Sequence, residues 1–181
     1  MLVIFSGNYT AFFDRYTRSA FASYMTGTGK RALVTGQDEG FALNEVLRPK
    51  ADAWYNTYLK ALYVNNTWPY YTDASGCFVA LQGASGDPIG DGLTLLLSRC
   101  GGYGGAGNQY SPDVILPYGG SLAVFYYMYP NGTASPYAGG VRWSDAYGRK
   151  LVYLSFGVEG VTDDEARAIL MDRILKWLLA P

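Results

Sequence analysis

The chain has 181 residues, of which 49% are hydrophobic, and this length and composition predict one globular domain with a substantial core. Its 14 basic and 15 acidic residues nearly cancel, which excludes nucleic acid as a partner because phosphate binding needs a basic surface. No apolar run reaches the roughly 18 residues of a membrane span, and the complete lack of histidine excludes histidine-activated nucleophiles and histidine-ligated zinc.

Strand and helix patterns alternate through the first third of the chain. An apolar run at residues 2–5 predicts a buried strand, and an apolar stripe at helical spacing predicts a helix over residues 11–25. A second short strand is predicted at residues 32–34, and it leads through a glycine-flanked turn into a helix that begins over residues 41–47. Residues 53–63 predict a further helix, since their aromatic and leucine side chains share one side.

The middle of the chain is richer in strand patterns. Residues 77–81 and 122–129 predict strands, and residues 141–143 and 150–156 predict a hairpin. The glycine-rich segment 101–113 contains a G-x-G-x-x-G match, but no helix pattern follows it. We therefore interpret it as a tightly turned surface loop and not as a dinucleotide site.

The last segment predicts the clearest helix. Thr162 and Glu165 have the spacing of a capping box, which makes Thr162 the predicted N-cap, and apolar residues then recur on one face as far as Leu178. Strands alternate with helices at both ends of the chain, so the order predicts an α/β domain with a β-rich insertion or antiparallel extension. Because the first strand begins at residue 2, we expect residues 1–181 to be a single domain and a fragment of a longer chain.

The turn after the second strand has the pattern of a nucleophile elbow. It consists of Gly36, Gln37, Asp38, Glu39 and Gly40, a G-x-D-x-G pattern in which enzymes usually carry serine or cysteine at the centre. Asp38 could be an unusual nucleophile, or it could accept hydrogen bonds from the N–H groups that begin the next helix. The second interpretation is favoured, because no histidine is present to assist the chemistry.

A second motif, Phe156-Gly157-Val158-Glu159, follows the last predicted strand. Together with LVIFSGN, ALVTGQDEG, GDPIGDGL, the SPD of QYSPDVI and the C-terminal segment KLVYLSFGVEGVTDDEARAILMDRILKWL, it resembles class I glutamine amidotransferases. The similarity is to their divergent relatives in secreted and surface proteins of bacteria and archaea, and it extends over nearly the whole chain. It implies a flavodoxin-like three-layer sandwich with a mostly parallel central sheet.

The resemblance also implies a degenerate active site. The triad of the family is Cys-His-Glu; Asp38 and Gly157 stand at the cysteine and histidine positions, whereas Glu159 keeps the family residue. We therefore expect the domain not to be an enzyme and to need no cofactor. The catalytic alternative is a hydrolase in which Asp38 and Glu159 form a carboxylate pair that shares a proton.

Composition and cysteines predict an exported, extracellular or cell-surface domain. Cys77 and Cys100 could form one disulfide or remain two buried thiols, of which the disulfide is favoured. The expected role is structural or protein-interacting, with other domains of the parent chain or copies of the same chain as partners, and self-assembly is one form of it. Tyrosines suit such interfaces, and those expected at the surface are Tyr70, Tyr71, Tyr103, Tyr110 and Tyr118.

Two further interpretations concern small ligands. Asp87 and Asp91 lie in the loop at residues 83–92 and could bind calcium, although aspartates that stabilise turns are the more frequent explanation. Aromatic rings beside these aspartates could instead bind carbohydrate, which would require an exposed row of rings along a groove. Asn65 begins one of the Asn-x-Thr sequons, which matter only in a source that glycosylates.

Overall fold

The computed structural model describes residues 1–7, 12–47, 50–72, 74–101 and 104–181. Within these ranges the strands are β1 (Leu2–Gly7), β2 (Arg31–Gly36), β3 (Ala61–Asn65), β4 (Phe78–Gly83), β5 (Thr94–Ser98), β6 (Val114–Pro117), β7 (Leu122–Met128), β8 (Ala134–Ser144) and β9 (Lys150–Leu154). The helices are α1 (Arg15–Met25), α2 (Glu39–Phe41), which continues as a π-helical turn over Ala42–Val46, α3 (Asp52–Tyr58) and α4 (Asp164–Leu179). No described helix is long and apolar enough to cross a membrane.

One mixed sheet organises the domain, and most of its neighbouring strands are antiparallel. Its order is β1-β2-β9-β8-β7-β4-β5, while β6 pairs with β8 and β3 pairs with β6. Among the described strands only β1 with β2 and β2 with β9 run parallel. The sheet curls into a half-barrel. The prediction of a flavodoxin-like sandwich with a mostly parallel sheet is therefore wrong.

The difference arises in the middle of the chain, where tight turns and not helical crossovers connect the strands. β7 is joined to β8 by a turn in which the N–H of Tyr129 donates to the carbonyl of Thr133. A second turn joins β8 to β9, with the N–H of Asp145 donating to the carbonyl of Arg149. Strands joined by such short turns must run antiparallel, so the β-rich segment becomes the larger part of the main sheet.

The helix predicted over residues 53–63 is shorter, because a strand replaces its second half. α3 ends at Tyr58, and Lys60 has a φ of 59°, a left-handed conformation that a continuing helix does not allow. The next residues form β3, in which Leu62 lies opposite Leu116 of β6. Pairing with a partner distant in sequence thus overrides the helical spacing of the apolar residues.

Alternate residues of β9 contribute to two hydrophobic cores, one on each face of the sheet. Val152 and Leu154 pack in the core beneath α4. Leu151 and Tyr153 pack in the core beneath α1 and α3. Because successive side chains of a strand point to opposite faces, this one strand supports both helical layers.

The predicted C-terminal helix is confirmed as α4, although its N-cap differs from the prediction. The side chain of Asp163 accepts a hydrogen bond of 2.9 Å from the N–H of Ala166. Asp163 is therefore the N-cap in place of Thr162. The shift is one residue, and the acidic first turn still suits the positive end of the helix dipole.

The outer hairpin of the sheet is closed by a covalent bond. Cys77 precedes β4 and Cys100 follows β5, and a disulfide joins them. The predicted disulfide is confirmed.

Two parallel pairings bring the elbow and the second motif to one edge of the sheet. β2 lies between β1 and β9, and it ends at Gly36 where β9 ends at Leu154. The carboxyl ends of parallel strands lie on the same side. Residues 36–40 and 156–159 therefore lie next to each other in the fold.

Candidate functional site

The turn after β2 has a backbone that few residues can adopt. A Cβ at Gly36 would lie 1.8 Å from the hydroxyl oxygen of Ser6, so only glycine fits there. Asp38 has a φ of 68° and a ψ of 3°, a left-handed conformation that is uncommon outside glycine. In a nucleophile elbow, a sharp turn between strand and helix holds its central residue in a strained conformation, and residues 36–40 have this geometry.

The carboxylate of Asp38 contacts Ser111 and not the helix that follows it. The hydroxyl of Ser111 donates a hydrogen bond of 2.6 Å to Asp38 Oδ1, and α2 receives no side-chain cap from Asp38. The predicted capping role of Asp38 is therefore wrong, because the left-handed backbone turns its side chain away from the N–H groups of α2. Burial raises the pKa of Asp38, and the hydrogen bond from Ser111 opposes that rise.

The residue that caps α2 is Asp113, which is 73 residues from Gly40 in the sequence. The N–H of Gly40 donates to Asp113 Oδ2 at 2.6 Å, and the N–H of Phe41 donates to Asp113 Oδ1 at 3.3 Å. Burial raises the pKa of Asp113 well above its usual range, and the two backbone donors oppose the rise. The sequence placed Asp113 in the SPD motif but gave it no role, since nothing local indicates a contact with residues 40 and 41.

Glu39 is a buried acid without a hydrogen-bond partner among the residues that the structure describes. Its side chain is fully buried, and neither carboxyl oxygen is hydrogen-bonded to a described residue. Burial raises the pKa of Glu39 to about 8, while the nearby hydroxyl of Ser6 and the N–H of Phe13 oppose the rise. Glu39 is therefore largely a neutral carboxylic acid at pH 7.

Glu159 occupies the space beside Gly157. A Cβ at Gly157 would lie 2.1 Å from Glu159 Oε1, so any side chain at this position would displace the glutamate. Glu159 Oε1 accepts hydrogen bonds from Asn108 Nδ2 at 3.2 Å and from Gln109 Nε2 at 3.3 Å. These two amides fix the carboxylate in place, and the N–H of Gly157 is bound to the same segment through Gln109 Oε1 at 2.7 Å.

Gln37 connects the elbow to the segment that carries those amides. Gln37 Nε2 donates to the carbonyl of Asn108 at 2.5 Å, and Gln37 Oε1 accepts from the N–H of Ser111 at 2.8 Å. Gln37 is fully buried. The segment 108–113 therefore covers the elbow and bonds to it at three positions, Gln37, Asp38 and Gly40.

The predicted carboxylate pair of Asp38 and Glu159 is not formed. No hydrogen bond joins them, and the acids that Asp38 influences are Glu39 and Asp113, whose pKa values are raised first by burial and further by its charge. Within the described residues, Asp38 has no hydrogen bond to a basic side chain, and no group of three His, Cys, Asp or Glu could hold a metal ion. The hydrogen bond from Ser111 instead holds the Asp38 carboxyl against segment 108–113, an arrangement that stabilises the turn.

The two calcium candidates stabilise their own loop. Asp87 Oδ1 accepts from the N–H groups of Ile89 and Gly90, and Asp87 Oδ2 pairs with Arg142 at 2.5 Å. Asp91 Oδ1 accepts from the N–H of Gly86 at 2.9 Å. The hydrogen bonds from backbone N–H groups of the loop are those of aspartates that stabilise turns.

The tyrosines predicted at the surface differ in their exposure. Tyr70, Tyr110 and Tyr118 are exposed. Tyr71 is half-buried, and its hydroxyl accepts a hydrogen bond from Arg99 Nη1 at 2.5 Å. Tyr103 lies outside the described residues. The role of these side chains in interaction stays a prediction.

Comparison with known proteins supports the fold. No protein-family model and no curated protein matches the chain. Among solved structures, the cold-adapted β-galactosidase from Rahnella sp. R3 is similar, with a TM-score of 0.55 and 15% sequence identity. The match covers 92% of this chain and 21% of the β-galactosidase, so the chain spans about a fifth of that protein's length. At this identity the likeness shows the fold alone, a mixed sheet that is mostly antiparallel.

Proposed function

We propose that this chain is a non-catalytic glutamine amidotransferase-like domain with an interaction role in an exported protein. The position of Glu159 carries the proposal. Its carboxylate fills the space at Gly157 that a histidine side chain would need for catalysis by the family mechanism. Asp38, at the nucleophile position, is hydrogen-bonded by Ser111, which cannot act as a base at neutral pH.

Export is supported by the disulfide between Cys77 and Cys100. Disulfides form and persist in oxidising compartments and are rare where thiols are kept reduced. An extracellular or cell-surface location is part of the proposal for this reason.

The strand β1 and its two flanks are the interaction surface that we propose. β1 is the end strand of the sheet, with β2 as its neighbour. Val3 and Phe5 are 39% and 55% exposed on the face towards α4. A groove of about 550 Å³ lies on each side of Phe5, one reaching Met171 of α4 and the other reaching Phe12 and α1.

A second copy of the chain is the partner that fits this edge. Residues 2–5 contain no charge and no proline, the devices with which monomeric proteins usually protect an edge strand. Antiparallel pairing of two β1 strands about a two-fold axis at Ile4 would place Val3 opposite Phe5 of the second copy. No like charges would face each other, because the strand has none.

Sedimentation equilibrium tests this association. We expect the wild type to form dimers with increasing concentration and Phe5→Lys to stay monomeric. Leu122→Lys is the matched control, because Leu122 is 54% exposed on β7 and should not affect the dimer. A wild type that stays monomeric up to millimolar concentration, or equal dissociation by both variants, would contradict the role of β1.

Hydrolysis assays test separately the proposal that the domain is not catalytic. Wild type and Asp38→Asn are compared with glutamine, with p-nitrophenyl acetate and with a p-nitrophenyl amide as substrates. We expect no turnover above buffer for either protein. A rate that Asp38→Asn abolishes would favour the carboxylate hydrolase instead.

A further inference from the structure

A cleft lined by aromatic rings lies at the C-terminal end of β3. It has a volume of about 320 Å³ and shares no lining residue with the grooves beside β1. Its lining residues are Val64, Asn65, Trp68, Pro69, Tyr70, Val114, Tyr129 and Tyr137. None of these residues belongs to the elbow, and the lining does not include Asp87 or Asp91, beside which a carbohydrate site was expected from the sequence.

The aromatic side chains of this cleft pack against one another and against the core. Trp68 is buried and stacks on Tyr127 with ring centroids 5.1 Å apart, and its indole N–H donates to the carbonyl of Met128 at 3.1 Å. Tyr70 and Tyr129 pack edge to face at 5.2 Å. Rings fixed by their neighbours lose little freedom when they bind a ligand, which favours affinity.

The polar groups of the cleft are neutral, and its tyrosine hydroxyls are unused. No charged side chain lines it. The hydroxyls of Tyr70, Tyr129 and Tyr137 make no hydrogen bond to any residue that the structure describes. Each hydroxyl can both donate and accept a hydrogen bond, so the cleft combines apolar ring surface with a set of free neutral donors and acceptors.

We infer that this cleft binds one unit of a neutral saccharide. A pyranose ring has an apolar C–H face that packs on aromatic rings and a rim of hydroxyls that pair with tyrosine and asparagine groups. A charged ligand would lose its hydration without finding a counter-charge, and a purely apolar one would leave the hydroxyls without partners. The volume lies at the lower end of the range for small-ligand sites, which suits a single ring.

NMR titration with neutral sugars tests this inference on the protein produced without glycosylation. That condition matters because Asn65 lines the cleft and begins the sequon Asn65-Asn66-Thr67, and a glycan there would cover it. The probes are methyl β-D-glucoside, methyl β-D-galactoside and cellobiose. We expect at least one of them to cause saturable shifts of the Trp68 indole N–H, with a Kd on the order of millimolar for so small a contact. Glucuronate and glucosamine, which are charged, should bind at least fivefold more weakly.

Two variants test whether the sugar binds in the cleft and not elsewhere on the surface. Tyr70→Ala should weaken binding by tenfold or more, and Tyr129→Phe, which keeps the ring, should weaken it two- to fivefold. Tyr118→Ala is the matched control, since Tyr118 is 44% exposed where Tyr70 is 45% exposed, and it should bind as the wild type does. The inference is overturned if no neutral sugar gives saturable shifts, if Tyr70→Ala binds as well as Tyr118→Ala, or if only a proline-rich peptide, which also suits Tyr/Trp grooves, occupies the cleft.

Discussion

At the scale of single residues, the elbow is stabilised by acids whose protonation should affect the stability of the whole domain. Asp38, Glu39 and Asp113 all have raised pKa values, with burial as the first cause. An acid with a raised pKa in the folded state binds a proton that the unfolded chain releases. Each of these residues therefore makes folding less favourable as the pH rises.

Replacing Glu39 by glutamine should remove part of this pH dependence. The pKa of Glu39 is about 8 in the folded protein against 4.5 in the reference state, so its contribution is fully present below pH 4.5 and is lost as the pH rises to 8. The free energy of unfolding should fall by a few kcal/mol over this pH range, on the order of 1.4 kcal/mol per pH unit at most. Urea unfolding of wild type and Glu39→Gln at pH 5, 6, 7 and 8 measures it. Parallel curves for the two proteins would show that Glu39 ionises normally.

Removing the carboxyl group of Asp113 should destabilise the turn that Asp113 caps. Asp113→Ala leaves the N–H groups of Gly40 and Phe41 without their acceptor, and we expect a loss of about 2 kcal/mol in the free energy of unfolding. Asp113→Asn keeps one acceptor oxygen and should lose less than about 1 kcal/mol. Equilibrium urea unfolding at pH 6 gives both values. An Asp113→Ala protein as stable as the wild type would refute the cap.

At the scale of secondary-structure elements, the outer strands are held by local connections. β4 and β5 pair in register from Phe78 opposite Ser98 to Gln82 opposite Thr94. The disulfide encloses this hairpin, with a sequence separation of 23 between the two cysteines. Since β5 is an end strand that pairs only with β4, the covalent bond restrains an edge of the sheet.

Removing the disulfide should lower stability by about 3 kcal/mol, the chain-entropy estimate for a loop of this length. The variant is Cys77→Ala with Cys100→Ala, and urea unfolding measures the change. The control is wild type with dithiothreitol, which should lose the same amount. An unchanged midpoint in both experiments would show that the bond does not contribute to stability.

At the scale of the whole molecule, the free edge of β1 links stability to concentration. Only the folded chain presents the paired strand, so dimer formation stabilises the folded state by mass action. We expect the Tm of the wild type to rise as its concentration increases, whereas the Tm of Phe5→Lys should stay constant. Differential scanning calorimetry over a hundredfold range of concentration measures this. A constant Tm for the wild type would contradict self-association through β1.

The strand order also explains why the mostly parallel sheet, which the resemblance to glutamine amidotransferases implied, was a wrong prediction. The segments at both ends of the chain form the predicted β2, α4 and β9, and these include the parallel pair β2 and β9. The middle segments add antiparallel strands to the same sheet through tight turns. The direction of a strand depends on which partner it meets, and patterns within one segment do not specify that partner.

The sequence by itself determined the features that depend on neighbours along the chain. The helix after Thr162 follows from capping and apolar spacing, the hairpin ending in β9 from its strand pattern and turn, and the tight turn at residues 36–40 from its flanking glycines. The disulfide was favoured from the composition. These signals are local, because caps, turns and periodicity act over a few residues.

Only the tertiary structure decided what the elbow does. Asp113 caps α2 from a position 73 residues away, and the carboxylate of Glu159 fills the space at Gly157 under the control of amides about 50 residues distant. Tertiary pairing also converted the second half of a predicted helix into β3. Each of these outcomes depends on the burial and geometry of groups that folding brings together, and the energy of a buried carboxyl is set by those surroundings and not by its place in the sequence.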